Sequence, residues 1–185
     1  GGRPNSITLN NLHYFVDEKT GKCKIPYIVE GANLFITQPA KNALEEHGCI
    51  LFKDASANKG GVTSSSMEVL ASLALNDNDF VHKFIGDVSG ERSALYKSYV
   101  VEVQSRIQKN AELEFGQLWN LNQLNGTHIS EISNQLSFTI NKLNDDLVAS
   151  QELWLNDLKL RNYLLLDKII PKILIDVAGP QSVLE

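Results

Sequence analysis

Cysteine is scarce in this sequence. Two residues in 185, Cys23 and Cys49, cannot supply a disulfide framework, and Cys49 lies in an apolar run that suits a small buried hydrophobe. Positive charge is not in excess. The formal net charge is −5, which provides no general basic surface for nucleic acid. No uninterrupted apolar run approaches the roughly 20 residues of a membrane span. The opening GGRPNSITLNN has no signal-peptide core. His13, His47, His82 and His128 show no metal-ligand spacing; they are expected as surface or capping residues, and no metal site is expected. The phosphate fingerprint G-x-G-x-x-G is absent, as is any solenoid-type repeat. What is present is 43% hydrophobic residues, enough to build a core of one ordinary domain or one and a half.

The chain is organised around Lys53 to Leu75, KDASANKGGVTSSSMEVLASLAL. The apolar run Cys49 to Phe52 reads as a strand. A tight polar loop with Asn58 and Gly60-Gly61 follows, and a helix is expected to start between Val62 and Ser66. Met67, Leu70, Ala71 and Ala74 recur at helical spacing and mark one buried face. The paired glycines permit a sharp turn and a close approach. A helix start after a glycine turn offers unpaired N–H groups and a partial positive charge to an anion. The plainer reading is that the glycines only turn the chain, and that Ser65, with Glu68 three residues on, caps its own helix.

Before this stretch, Gly1 to Pro4 reads as a loop and Asn10 to Val16 as a short helix with Leu12, Phe15 and Val16 on one side. Asp17 to Lys22 reads as a solvated turn. Ile25 to Val29 has the near-continuous apolar character of a buried parallel strand. Thr37 can cap the next helix, with Pro39 in its first turn and His47-Gly48 at its end. Strand, helix, strand is a βαβ unit, which puts both connecting loops at the carboxyl ends of parallel strands, where open α/β sheets bind ligands.

The composition boundary falls at 76/77. Beyond it almost everything reads as helix: Phe80 to Ile85 closed by Gly86, a turn at Ser89-Gly90, a long helix from about Ser93 to Asn122 stopped by Asn125-Gly126, and another from about Ser130 to Val148. A third runs from a cap at Ser150 through Trp154, Leu158 and Tyr163 to Ile170. A last short one has Pro171 in its first turn and Gly179-Pro180 at its end. The apolar faces are expected in core packing or at a subunit interface. Arg106 and Lys109, among acids, read as a solvated helix face.

Two blocks carry a family resemblance. Asn58-Lys59-Gly60-Gly61-Val62-Thr63-Ser64-Ser65-Ser66-Met67-Glu68 resembles the asparagine–glycine–glycine–valine segment of glutamate dehydrogenases. Glu30-Gly31-Ala32-Asn33, with Thr37 and Ala40, resembles a second signature of that family, in matching order and separation. Together they cover about residues 25 to 76. The surrounding chain is similar to the large NAD-dependent branch of these enzymes, as a C-terminal fragment of one.

The resemblance implies an α/β fold: residues 1–76 as the second half of a Rossmann-like dinucleotide-binding domain, and residues 77–185 as a mostly helical C-terminal region. It implies an oxidoreductase that converts glutamate to 2-oxoglutarate and ammonia with NAD as cofactor. Asn33 and Gly31 then lie by the nicotinamide-side ribose, and Asn58 lies by the nicotinamide carboxamide, where an amide offers both donor and acceptor. Val62 lines the substrate pocket, and Ser65 binds the side-chain carboxylate. Lys59 stands where the family has a small residue, and Ser64 and Ser66 are alternative hydroxyls. The family's acid–base lysine and aspartate have no matching context here; Lys41, Lys53, Lys59, Asp54 and Asp87 have no motif around them. The fragment is therefore expected to be inactive alone. Small-molecule substrates and a homo-oligomer are implied, with neither nucleic acid nor membrane as partner, in an intracellular compartment, cytoplasmic or mitochondrial. A second reading stands beside this one: a non-catalytic helical assembly module whose short α/β start is structural.

Overall fold

The structure, a computed structural model, describes residues 2–86, 90–150 and 155–184. Expectations for Gly1, Asp87, Ser89 and Trp154 lie outside these residues. The fold is mixed α/β and mostly helical, with a small parallel sheet of two strands among the described residues.

β1 (Tyr27–Val29) and β2 (Ile50–Phe52) pair in parallel with Tyr27 opposite Ile50 and Val29 opposite Phe52. The helix between them, α1 (Gln38–Glu46), is preceded by Thr37 and carries Pro39 in its first turn. Thr37 supplies the extended cap backbone but no side-chain bond. The expectation of a fully buried first strand is corrected. Tyr27 and Val29 are each 70% exposed, because the residues that cover their side of the sheet, Leu118, Ile129 and Ile132, pack on Ile50 and Phe52 of the second strand instead. Leu51, on the partner strand, is fully buried.

By contacts the chain divides into two compact units, Gly1–Lys59 with Asn110–Leu143, and Gly60–Lys109 with Asn144–Glu185. The first unit has two apolar clusters. Ile7, Ile36, Ala40, Leu44, Cys49 and Leu51 pack α1 against the sheet. Leu118, Ile129 and Ile132 form the other, with Ile50 and Phe52 against them. Leu118 belongs to the long helix α5 (Ala94–Asn125), which Gly126 stops with φ +70, and Ile129 opens α6 (Ile129–Ala149). The start of α6 is held by polar side chains: Ser130 Oγ donates to Glu45 Oε2 at 2.6 Å, and the Ser130 N–H reaches Glu45 Oε1 at 3.3 Å. Glu45 thus caps a helix distant in sequence. Burial pushes its carboxyl above the ordinary range, against the pull of the Ser130 bonds.

Between β2 and the long helices lie a one-turn helix α2 (Asp54–Ala57) and α3 (Gly60–Ala74). In the second unit, Asn76 Oδ1 accepts the Asp79 N–H at 2.9 Å and caps α4 (Asp77–Asp79), which runs on into a π-helical turn, Phe80–Ile85. Gly86 closes it at φ +112, where a Cβ would stand 2.5 Å from the Glu91 carbonyl. Ala71, Leu75, Phe84, Tyr99, Val103, Ile170 and Leu174 form the core of this unit.

Two expectations are corrected here. The helix expected to run unbroken through Leu158 and Tyr163 starts anew there as α7 (Leu158–Tyr163), capped by Asp157, whose Oδ1 accepts the Leu160 N–H at 2.9 Å; the residues that Ser150 was expected to cap lie outside the described ones. Ser150 follows the end of α6, its N–H bonded to the Asp146 carbonyl at 3.1 Å. Arg106 is not on a solvated face. Its guanidinium donates to the carbonyls of Lys168, Ile169 and Ile170, at 3.2, 2.9 and 3.0 Å, and pairs with Glu102. Glu102 in turn accepts the N–H groups of Lys172 and Ile173 at 2.8 and 3.1 Å, at the start of α8 (Lys172–Ala178). The planar guanidinium fits several carbonyls at once, and the exposed acids nearby hid this in the sequence pattern.

Candidate functional site

Each strand of the sheet runs out at its carboxyl end into a polar loop. After β1 come Glu30, Gly31, Ala32 and Asn33. After β2 come Lys53, the α2 turn and Asn58, which ends that turn with φ −116 and so is not left-handed. The parallel register brings the two loops to one edge. There the Asn58 amide nitrogen donates to Asn33 Oδ1 and also reaches the Gly31 carbonyl at 3.3 Å. Asn33, Asn58 and Gly31 therefore form one cluster. Two amide functions remain uncommitted in those bonds: the Asn33 NH₂ as donor and the Asn58 oxygen as acceptor. Asn33 is exposed and Asn58 half-buried.

A buried charge cluster lies beneath this pair. Glu30 Oε1 accepts the Ile36 N–H at 2.8 Å, and Oε2 accepts the Asp54 N–H at 3.0 Å. Lys41 Nζ, on α1, stands 2.9 Å from Glu30 Oε2 and donates to the Ile36 carbonyl at 2.7 Å. Asp54 Oδ2 accepts the Leu34 N–H at 2.8 Å. Burial alone would raise the Asp54 carboxyl. The Leu34 and Ala55 N–H groups, with Lys41 and Lys53, outweigh it and hold the carboxyl below the ordinary range. Desolvation, with Lys41 nearby, lowers Lys53. One carboxylate therefore ties the end of the first loop to the beginning of the second. The sequence showed no motif around Lys41 or Asp54. The usable signal was a lysine directly after Ala40 on an otherwise apolar helix face, within reach of an acid at a strand end.

A cavity of about 300 Å³ opens beside the first loop, lined by Gly2, Val29, Glu30, Gly31, Ala32 and Phe35. That is the lower end of small-ligand pocket sizes, roughly 300–1,000 Å³. Gly2 packs so closely on Phe35 that an added Cβ would overlap the ring, whereas a Cβ on Gly31 would meet nothing within 4 Å. Packing within the unit thus gives no reason for glycine at 31.

Val62 and Ser65 lie on the first turns of α3, in the second unit, on one face by their spacing of three. Val62 is 74% exposed and Ser65 is exposed. The helix begins at Gly60, earlier than the Val62–Ser66 start expected, because the glycine pair itself takes helical geometry. The capping-box reading of Ser65 is thereby corrected: its Oγ donates to the Gly61 carbonyl at 3.0 Å, one turn back inside the helix. Ser64 and Ser66 do likewise, to Gly61 at 2.9 Å and Val62 at 3.0 Å. Lys59 Nζ pairs with the Glu114 carboxylate at 2.6 and 2.8 Å.

Residues 1–126 match the Glutamate/Leucine/Phenylalanine/Valine dehydrogenase family. The chain belongs to this dehydrogenase family. Along all 185 residues it is 51% identical to the "NAD-specific glutamate dehydrogenase" of Neurospora crassa, covering 17% of that protein. It is 45% identical to the "Probable NAD-specific glutamate dehydrogenase" of Schizosaccharomyces pombe, again over the whole chain and 16% of the relative. A 45% identity to "Glutamate dehydrogenase 2" of Dictyostelium discoideum covers the whole chain and 17% of that protein. The chain thus spans about a sixth of the length of these dehydrogenase relatives. No solved structure matches it. Among the described residues, no three His, Cys, Asp or Glu side chains gather as a metal site, and no helix is long and apolar enough to cross a membrane.

Proposed function

We propose that this chain is the nicotinamide-side and carboxylate-side portion of an NAD-linked glutamate dehydrogenase, which interconverts glutamate with 2-oxoglutarate and ammonia. In this reading residues 1–76 are the second half of a Rossmann-like domain and residues 77–185 a helical C-terminal region. NAD supplies the hydride acceptor when bound. The chain's own residues bind and orient. The observation that carries the reading is the Asn33–Asn58 amide pair at the carboxyl edge of two parallel strands. Its free donor and free acceptor complement a carboxamide, which offers one acceptor and one donor in return. Glycine at 31, unneeded for packing, leaves room for a ribose to approach the backbone. Val62 and Ser65, exposed beside the N–H groups that open α3, suit the apolar stem and the side-chain carboxylate of glutamate.

The chain alone is inactive in this reading, since the acid–base lysine and aspartate and the phosphate loop belong to other parts of the protein. Purified 1–185 gives no glutamate-dependent NADH above blank; measurable turnover contradicts this. The assembled enzyme is a homo-oligomer of an intracellular compartment, cytoplasmic or mitochondrial. In the full-length protein, Asn58→Ala and Asn58→Asp each lower kcat/KM for NAD, because a misplacement of even about 1 Å costs roughly a hundredfold. Steady-state kinetics beside melting curves decide: near-normal kinetics with a clear stability loss would leave Asn58 as a turn residue only. One observation favours the second reading, a helical assembly module. Phe138 and Val148 on α6 are 71% and 70% exposed, and apolar side chains so placed suit an interface. It predicts that those substitutions leave NAD kinetics untouched.

A further inference from the structure

Next to Asn33 the backbone is strained. Leu34 has φ +55, a left-handed conformation that a leucine rarely adopts. Its side chain is 63% exposed, so core packing does not impose this. Both of its peptide groups are tethered. The N–H donates to Asp54 Oδ2 at 2.8 Å, and the carbonyl accepts the Asn5 N–H at 2.8 Å. The Asp54 carboxylate that holds the Leu34 N–H is buried at 6% exposure, and its second oxygen, Oδ1, has no hydrogen-bond partner, with Lys41 Nζ 4.0 Å away. A strained residue and a buried carboxylate meet in one contact, and that contact links the residue after Asn33 to the helical turn that ends in Asn58. Strain of this kind persists where the surroundings over-determine it, and it concentrates at functional sites.

We propose that Asp54 and Leu34 are positioning residues: the Asp54 carboxylate holds Leu34 left-handed, and this aims the Asn33 side chain at Asn58. The inference rests on the reading of that amide pair as the cofactor contact. Glu30 supplies the rigid base, since its carboxylate grips Ile36 on one side and the Asp54 N–H on the other. Without the Asp54 bond, residue 34 relaxes to an extended or right-handed form, the loop turns the Asn33 amide away, and the donor–acceptor pair is lost.

Position 34 gives a test that leaves the core alone. Asparagine tolerates a left-handed backbone, whereas a β-branched valine resists it. In the full-length protein, Leu34→Asn is expected to retain roughly tenfold more kcat/KM for NAD than Leu34→Val, while their glutamate KM values agree within about twofold. Asp54→Ala lowers kcat/KM for NAD in the same selective way, and adding Leu34→Asn to it recovers part of the loss. Equal NAD kinetics in the two Leu34 variants, or equal loss toward NAD and glutamate, overturns the proposal. If Asp54→Ala does not fold, the Leu34 pair decides alone. Asn33→Ala separates the two levels. If it leaves NAD kinetics unchanged, the amide-pair reading fails. If it impairs them while Leu34→Val does not, only the positioning role fails.

Discussion

Ser65 donates its hydroxyl to the Gly61 carbonyl, a bond inside an exposed helix that adds little to folding. Its removal should therefore be quiet in stability. A hydroxyl bond to a substrate carboxylate is different: a charge-assisted bond contributes roughly 1.5–3 kcal/mol, which predicts a rise of about tenfold or more in glutamate KM for Ser65→Ala in the full-length protein. Kinetics and melting on the same preparation check this. A fall in melting temperature with KM unchanged would leave Ser65 a structural residue. At this scale the motif residues were legible. Asn33 and Asn58 stood out in the sequence, and the fold brings them into contact. The charges beneath them did not stand out as a cluster, although Glu30 opens the second signature. Glu30, Lys41 and Asp54 are spread over two strand ends and a helix, and only the βαβ closure brings them together. Leu34 was equally hidden, because a left-handed leucine leaves no mark in composition.

Among the elements, hydrophobic periodicity located the helices well. The long helices at Ala94–Asn125 and Ile129–Ala149 lie within a few residues of the expected spans, since glycine stops and apolar spacing are local signals. Breaks inside an apolar-periodic run were less legible, as with the new start capped by Asp157. The Glu102–Arg106 pair illustrates the cause. On the sequence it is a solvated i, i+4 pair; in the fold it fastens the Lys168–Ile170 carbonyls and the first N–H groups of α8 to the long helix. Arg106→Lys keeps the charge but loses the fork. We expect it to weaken local protection of residues 168–175 by about 1.4 kcal/mol, seen as roughly tenfold faster amide exchange there. Unchanged exchange in that segment would show that the guanidinium contributes nothing to holding it.

At the scale of the whole molecule, the described strands make a parallel sheet of two. Tyr27 and Val29 of the first strand stay exposed, while Ile50 and Phe52 beside them are packed over. The uneven cover of the two strands explains why the sequence could suggest a parallel strand but not its burial. Burial depends on neighbours beyond the local pattern. The central claim is that the two loops at the carboxyl edge of this sheet meet the nicotinamide end of NAD. The most direct measurement is photo-crosslinking of the full-length protein with an NAD analogue carrying an azide on the pyridine ring, followed by peptide mapping. The account predicts label within residues 31–34 or 54–59, suppressed by excess NAD. NAD-protected label confined to other segments, with none in these loops, would contradict it.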